Sequence, residues 1–387
     1  MPSHKQTSHW RLPGIMGVLV VLILSIGWLV RHASQSTTPV PVLSAVVSNA
    51  VNNPPPIAGL TTNPSDDALA ESLNALRTKP DASTAKEWLA QLRATLSAMP
   101  TNEAVALIRR FLDSKQDAAT QLGFKISNAG WLDEAPTLRT FLLDELARLD
   151  PAAAADYAKV ILAAKDSPDE WAVALRNLAR GDVTPEGRQL LAQKTAELLQ
   201  HEPWRQNPSV GYLEAFDAAV YLGGTSLMPT LADMVRQKEN TAVAHASYLT
   251  LDRLVINTPA TTLATLLADP DLMAGRELTR ANYFARADVR DSQQRQLLEN
   301  YLLNPGITPA ELDAFASVFP NANFMISPNL LTSSPTLDHT TLVIRDVESL
   351  RVVQEWLADP RFARLKPALQ RAVQRLHEFV QQAGQGK

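Results

Sequence analysis

The chain contains no cysteine. That excludes disulfides, thiolate metal sites, cysteine nucleophiles and lipid attachment through a cysteine. It leaves the compartment open, because a cysteine-free protein suits reducing and oxidising surroundings alike. Histidine is scarce: there are seven, and His4, His9 and His32 flank an N-terminal apolar run. The others, His201, His245, His339 and His377, are scattered, with no His-x-x-x-His pair or His-Glu-x-x-His run. A zinc site needs convergent ligands, so no metal is expected, and His245, inside an apolar helical stretch, reads as a packed core residue. Gly-x-x-x-x-Gly-Lys and Gly-x-Gly-x-x-Gly are absent, which leaves nucleotide phosphates without a backbone cradle. The Gly-x-Ser-x-Gly elbow is absent as well. A basic excess is also missing, since 36 Lys and Arg face 40 Asp and Glu for a formal net charge of -4. General nucleic-acid binding is therefore not expected. No catalytic residue and no cofactor is assigned.

What is present is a chain of 387 residues, 45% hydrophobic and 20% charged, enough for one large or two ordinary domains. Residues 15–30 form an apolar run from Ile15 to Val30, preceded by Pro13 and Gly14 and followed by Arg31. With Leu12 and Pro13 it falls just short of the ~20 residues that span a bilayer. A cleaved signal peptide has a shorter apolar core and a small-residue site directly after it. Here Arg31 and His32 follow and no Ala-x-Ala pattern is near, so an uncleaved anchor over 13–30 is expected. Lys5, Arg11 and the terminal amine precede the run, against Arg31 after it. The positive-inside rule then puts residues 1–12 in the cytoplasm and the body in the periplasm or another extracytoplasmic space. Trp10 and Trp28 suit the two interfaces.

Between Ala33 and Ser65 there is no Asp, Glu, Lys or Arg, while Pro39, Pro41, Pro54, Pro55, Pro56 and Pro64 recur. Such a segment cannot offset its ordering entropy by burial, so residues 31–65 are expected to be a disordered linker. At polyproline II rise it reaches on the order of 100 Å. From Asp66 the texture turns helical. Leu138, Phe141, Leu142, Leu146 and Leu149 share one face, as do Tyr212, Phe216, Ala219 and Val220. Strict alternation is scarce, which argues against a sheet. Thr84-x-x-Glu87, Ser167-x-x-Glu170 and Thr308-x-x-Glu311 are capping-box patterns. Pro168 and Pro309 stand at the first helical position, and Thr184-Pro185 and Thr258-Pro259 repeat the device. Asp150-Pro151, Asp269-Pro270 and Asp359-Pro360 mark further breaks. The expected fold is all-α, with antiparallel helix pairs joined by short turns.

The pairs repeat. Leu222, Leu231, Met234 and Val235 match Leu254, Leu263, Leu266 and Leu267, each 32 residues on. Gly223-Gly224 reads as a helix-ending turn. The stretch from Ala218 to Gly224 with Leu227, Leu231 and Val235 resembles a HEAT-type repeat, and so does the stretch from Val243 to Ala246 with Leu249, Leu254, Leu263, Leu266 and Leu267. The resemblance covers about 65 residues clearly and implies an α-solenoid over 66–319 that binds proteins and performs no chemistry. Ser83-Thr84-Ala85-Lys86 matches the Ser-x-x-Lys of serine–lysine penicillin-binding enzymes, but their Ser-Asp-Asn and Lys-Thr-Gly elements are missing. Asp269-Pro270-Asp271 lacks the remaining ligands of a calcium loop. Asp144 and Glu145 point to different helix sides and do not form an acid pair.

Residues 320–387 break the repeat. The turn-rich stretch from Pro320 to Thr341 carries Phe324, Met325, Ile326, Leu330 and Leu331. It reads as a cap on the open solenoid end, or else as a partner-binding loop presenting Phe324 and Met325. Leu342-Val343-Ile344 could add a short strand. An amphipathic helix from about Phe362 to Gln382 ends the chain, with Phe362, Leu365, Leu369, Leu376 and Val380 on one face. Arg361, Arg364, Arg371 and Arg375 lie beside that face, opposite in sign to the acidic excess over residues 133–170. Both charge runs read as solvated faces; the arginines read alternatively as a stripe for an anionic partner. The function expected is a membrane-tethered, non-enzymatic scaffold or adaptor for an envelope protein. The layout of anchor, uncharged spacer and helical body also resembles lipase-specific foldases of bacteria. Their Arg-x-x-Phe-Asp-Tyr signature is matched here only by Phe216-Asp217. An enzyme of the cell wall is the third reading.

Overall fold

The computed structural model describes residues 64–384, apart from 79–80, 238 and 335–336. The expectations for residues 1–12 and 13–30, and nearly all of 31–65, lie outside the described residues. Among those described, no helix is long and apolar enough to cross a membrane.

The described chain is mostly helical, as expected. Three helices open it: α1 (Pro64–Thr78), α2 (Ala82–Ala98) and α3 (Thr101–Asp113). A two-stranded antiparallel hairpin follows, β1 (Lys125–Ile126) and β2 (Leu132–Glu134), which no alternation in the sequence announces. Next come α4 (Leu138–Leu149), α5 (Pro151–Ile161), α6 (Pro168–Gly181) and α7 (Pro185–Gln200). Short helices α8 (Glu202–Gln206), α9 (Val210–Glu214) and α10 (Asp217–Leu222) lead to α11 (Met228–Arg236), α12 (Thr241–Asn257) and α13 (Pro259–Ala268). After a 3-10 turn come α14 (Glu277–Phe284), α15 (Ser292–Leu303) and α16 (Pro309–Val318), then the non-helical residues 319–334 and 337–338, α17 (His339–Ala358), a second 3-10 turn and α18 (Lys366–Gly384).

Local chemistry sets these boundaries. Ser167, Thr184 and Thr308 cap α6, α7 and α16 by accepting from the amides of Glu170, Gly187 and Glu311, with proline at the first turn of each. The box glutamates do not reach back. Glu170 and Glu311 instead pair with Arg139 and Arg280. At α2 the cap is Asp81 rather than Thr84, because its carboxylate accepts from both the amide and the hydroxyl of Thr84. Gly223 ends α10 in the left-handed region at φ 66°, as the Gly-Gly turn predicts. Leu342, Val343 and Ile344 form no strand. Asp338 caps α17 at the amide of Thr341, and packing against α18 holds the helix through the β-branched Val343 and Ile344. The terminal helix begins at Lys366 rather than Phe362, because residues 360–365 are 3-10.

Helices pack on near neighbours in sequence: α5 on α6, α4 on α6, α11 on α12, α10 on α12, α13 on α15, α14 on α16 and α16 on α18. One apolar core runs through them, including Leu222, Leu231, Met234, Val235, Leu254, Leu263, Leu266 and Leu267 as buried or packed residues. Toward the C-terminus the core is aromatic. Phe284 and Tyr301 stack at 3.9 Å, and ring contacts continue through Phe315, Phe319 and Trp356 to Phe362.

Candidate functional site

The acidic stretch over residues 133–170 is solvated at Asp133, Asp156 and Asp166 but not throughout. Asp144, Glu145 and Glu170 are buried. Each is matched by arginine: Asp144 by Arg176 and Arg148, Glu145 by Arg93 and Arg148, and Glu170 by Arg139 at 2.7 Å. Buried charge persists only when paired. Arg148 is a neighbour on the same helix, but Arg176, Arg93 and Arg139 reach their carboxylates from other helices, where the local sequence does not show them.

One arrangement recurs. A buried carboxylate on one helix pairs with an arginine 32, 36 or 34 residues later: Asp144 with Arg176, Asp217 with Arg253, and Asp252 with Arg286. Beside the first pair, Arg148, Arg176 and Arg180 lie 4.9, 4.8 and 4.3 Å from the ring of Trp131, in the hairpin loop. Arg176 and Arg180 also donate to the carbonyls of Gly130 and Ala129 at 3.1 and 2.9 Å.

The second and third pairs, with Arg180, hold residues 320–334, which run along the helices as a strap. Asn321 donates its amide to the carbonyl of Ala285 at 2.7 Å, and Arg286 donates to the carbonyl of Asn323 at 2.6 Å. Farther along, Asp217 accepts from the amides of Leu331 and Thr332 at 2.6 and 3.0 Å, and from the Thr332 hydroxyl at 2.6 Å. Arg253 donates to that same hydroxyl. Arg180 donates to the carbonyl of Leu330 at 3.0 Å, and Leu330 is buried. Gly130, at φ 75°, lets the strap end approach. A Cβ there would collide with Arg180 and sit 2.5 Å from the Leu330 oxygen. The strap therefore lies on α6, α10, α12 and the end of α14. Beyond it, α17 and α18 pack on each other, and α18 packs on α16.

Most of the grip falls on the strap backbone, which leaves some of its side chains outward: Met325 is 48% and Ile326 77% exposed. Phe324 is half-buried, in a cleft between the strap and α17. The four C-terminal arginines do not form one stripe. Arg361 pairs with Asp359 at 2.7 Å, and Arg364 donates to the carbonyl of Leu302 at 3.2 Å. Arg371 pairs with Asp313, and Arg375 donates to the carbonyl of Phe319. They stitch the last elements to α15, α16 and the start of the strap. His245 is half-buried beside Tyr248; its Nε2 lacks a partner, and burial lowers its pKa.

Two carboxyls beside the strap are displaced from their ordinary range. Glu214, next to Asp217, is pushed up to about 7 by burial and then by the Asp217 charge. Burial likewise raises Asp252, against the opposing pull of Arg286. Among the described residues, no three histidine, aspartate or glutamate side chains converge as metal ligands. The residues that sequence reasoning missed are Asp217, Arg253, Asp252, Arg286 and Arg180. The signal that could have found them is the recurrence of Asp and Arg near the 32-residue offset already seen in the leucines. Compared with known proteins, the chain matches no family model, no curated protein and no solved structure.

Proposed function

We propose that the protein is a membrane-tethered helical-repeat adaptor, an α-solenoid that binds an extended segment of an envelope protein and carries out no chemistry of its own. The observation that carries this reading is the strap. Successive helices of the body hold an extended chain by its backbone, with a carboxylate taking amides and guanidiniums giving to carbonyls. Such contacts suit any extended chain, so the surface is chemically fitted to peptide capture. Packing of each helix on near neighbours and the recurring Asp–Arg pairs support the solenoid. The apolar run over residues 15–30 and the charge-free spacer after it support a tether with reach.

The absence of cysteine makes the test direct, since any introduced thiol is unique. Val183 is 81% exposed, so Val183→Cys in the full chain should react with a membrane-impermeant maleimide in intact spheroplasts. The protein should also stay in the membrane pellet after a carbonate wash. Labelling only after lysis overturns the topology. A photo-crosslinker on Ile326→Cys should give one discrete adduct in cells, and no adduct at low or moderate salt counts against the adaptor.

A further inference from the structure

A cleft of about 250 Å3 opens where the strap leaves α16 and the chain returns into α17. Ile256, Phe324 and Leu337 line it with hydrocarbon, and Arg286, Arg290 and Arg345 line it with charge. Two of these guanidiniums are already matched. Arg286 holds both oxygens of Asp252 at 2.5 and 2.8 Å, and Arg290 holds both oxygens of Asp288 at 2.9 and 2.6 Å. Arg345 differs. Its Nη2 donates to the carbonyl of Arg286 at 2.6 Å, and its buried Nε has no hydrogen-bond partner.

The nearby acids do not pair with Arg345. Asp288 is taken by Arg290, and Asp346, half-buried, feels both Arg345 and Arg375 without contacting either. Among the described residues Arg375 has no carboxylate in contact either, so Asp346 stands between the two guanidiniums and neutralises one of them. One positive charge of the two is left over, and Arg345, half-buried with a shielded and unpartnered Nε, is the one that lines the cleft. A cation in that position is relieved by a bound anion. A surplus of one favours a monoanion, and the guanidinium fork matches a carboxylate in two-point geometry. The hydrocarbon wall then takes an apolar group joined to that carboxylate. The volume is below the roughly 300–1,000 Å3 of drug-sized sites, which limits the guest to about one residue.

We propose that this cleft binds a small apolar carboxylate, with Arg345 as its charged partner and Ile256, Phe324 and Leu337 as its apolar wall. This goes beyond the adaptor reading and does not depend on it. The same chemistry is offered by the C-terminal residue of a polypeptide and by a free short-chain acid. The test is calorimetric titration of the full chain in lipid nanodiscs with N-acetyl-leucine, N-acetyl-leucinamide, isovalerate and acetate. N-acetyl-leucine or isovalerate should bind saturably, and N-acetyl-leucine should bind at least about tenfold tighter than its amide. A preference for N-acetyl-leucine assigns the site to a peptide end, and a preference for isovalerate assigns it to a free acid. Arg345→Gln should weaken both by about tenfold or more, with Arg345→Lys retaining part of the affinity. Leu337→Ala, at an exposed position, should weaken both alkyl acids while leaving acetate unchanged. Equal binding of acid and amide by the unaltered protein, or no saturable binding of either alkyl acid, overturns the proposal. The unaltered chain decides this even where an arginine variant does not fold.

Discussion

Glu214 provides the sharpest test of how the strap is anchored. It ends α9, partly buried, three residues before Asp217, and no hydrogen bond or ion pair among the described residues reaches it. Its pKa rises from 4.5 to about 7, first through burial and then through the Asp217 charge, with Arg253 opposing. Asp217 and Arg253 are the charged groups that face it. An acid whose folded pKa lies above its unfolded value is protonated more readily in the folded state. Stability therefore falls as pH rises from about 4.5 to about 7, and the penalty is complete above that window. At 1.36 kcal/mol per pH unit the displacement corresponds to about 3 kcal/mol, and to about 2 kcal/mol once solvent at the partly exposed edge is allowed for. Glu214→Gln removes the charge and keeps the shape. At pH 8 the variant should be the more stable by about 2 kcal/mol; at pH 4.5 the two should be equal. Spread over the unfolding entropy of some 320 residues, that amounts to a melting-temperature gain of about 3 °C.

The assay is thermal unfolding of the full chain and its Glu214→Gln variant across pH 4.5 to 8, with hydrogen exchange read at the same pH for both. Because the Glu214 charge acts on Asp217, the amides of Leu331 and Thr332 should exchange more slowly in the variant at pH 8. A melting difference that does not vary with pH would refute the reasoning. So would a variant less stable than its parent at pH 8, since the buried charge would then be doing something other than repelling Asp217.

Two further outcomes follow from the pairing of buried charge and from the hairpin. Arg176→Met leaves Asp144 buried without its main partner and should destabilise the protein by about 3–5 kcal/mol, while adding Asp144→Leu should recover much of the loss in a double-mutant unfolding series. Gly130→Ala forces a side chain into left-handed backbone and against the Leu330 carbonyl, so limited proteolysis between residues 323 and 332 should accelerate while cleavage within α15 does not change.

The sequence made the helices readable and the charges unreadable, and the two outcomes have one cause. A cap is decided within three residues. Ser167, Thr184 and Thr308 each bond an amide three positions on, so a proline and a hydroxyl in sequence suffice to place the start of a helix. Apolar spacing is nearly as local, and the matched leucines of the 32-residue offset are all in or against the core. Asp144 and Glu145, by contrast, have helix neighbours that suggest an exposed charged turn. Their burial depends on Arg176, 32 residues later, and on Arg93, 52 residues earlier. The strap is harder still. Nothing within residues 320–334 encodes the positions of Arg180, Asp217 or Arg286, and most of the bonds that hold it involve its backbone, which every sequence possesses. The stretch Leu342–Ile344 failed in the other direction: its β-branched residues favour a strand, and only Asp338 and the packing of α18 make it helical.

The coordination of Asp217 shows why body and strap are one unit. A carboxylate offers about four lone-pair positions. Here they meet Arg253, the amides of Leu331 and Thr332, and the Thr332 hydroxyl. Three of those four donors belong to the strap, and the carboxylate is only 3% exposed. Lifting the strap therefore leaves a buried anion with a single guanidinium, a state that costs more than the loss of ordinary surface contacts. A partner that displaces the strap must return donors to the same oxygens. The backbone of an extended chain does so with two successive amides, whereas a helix has free amides only in its first turn. The charge left at Asp217 would thus favour a ligand that offers free backbone amides, independently of side-chain sequence.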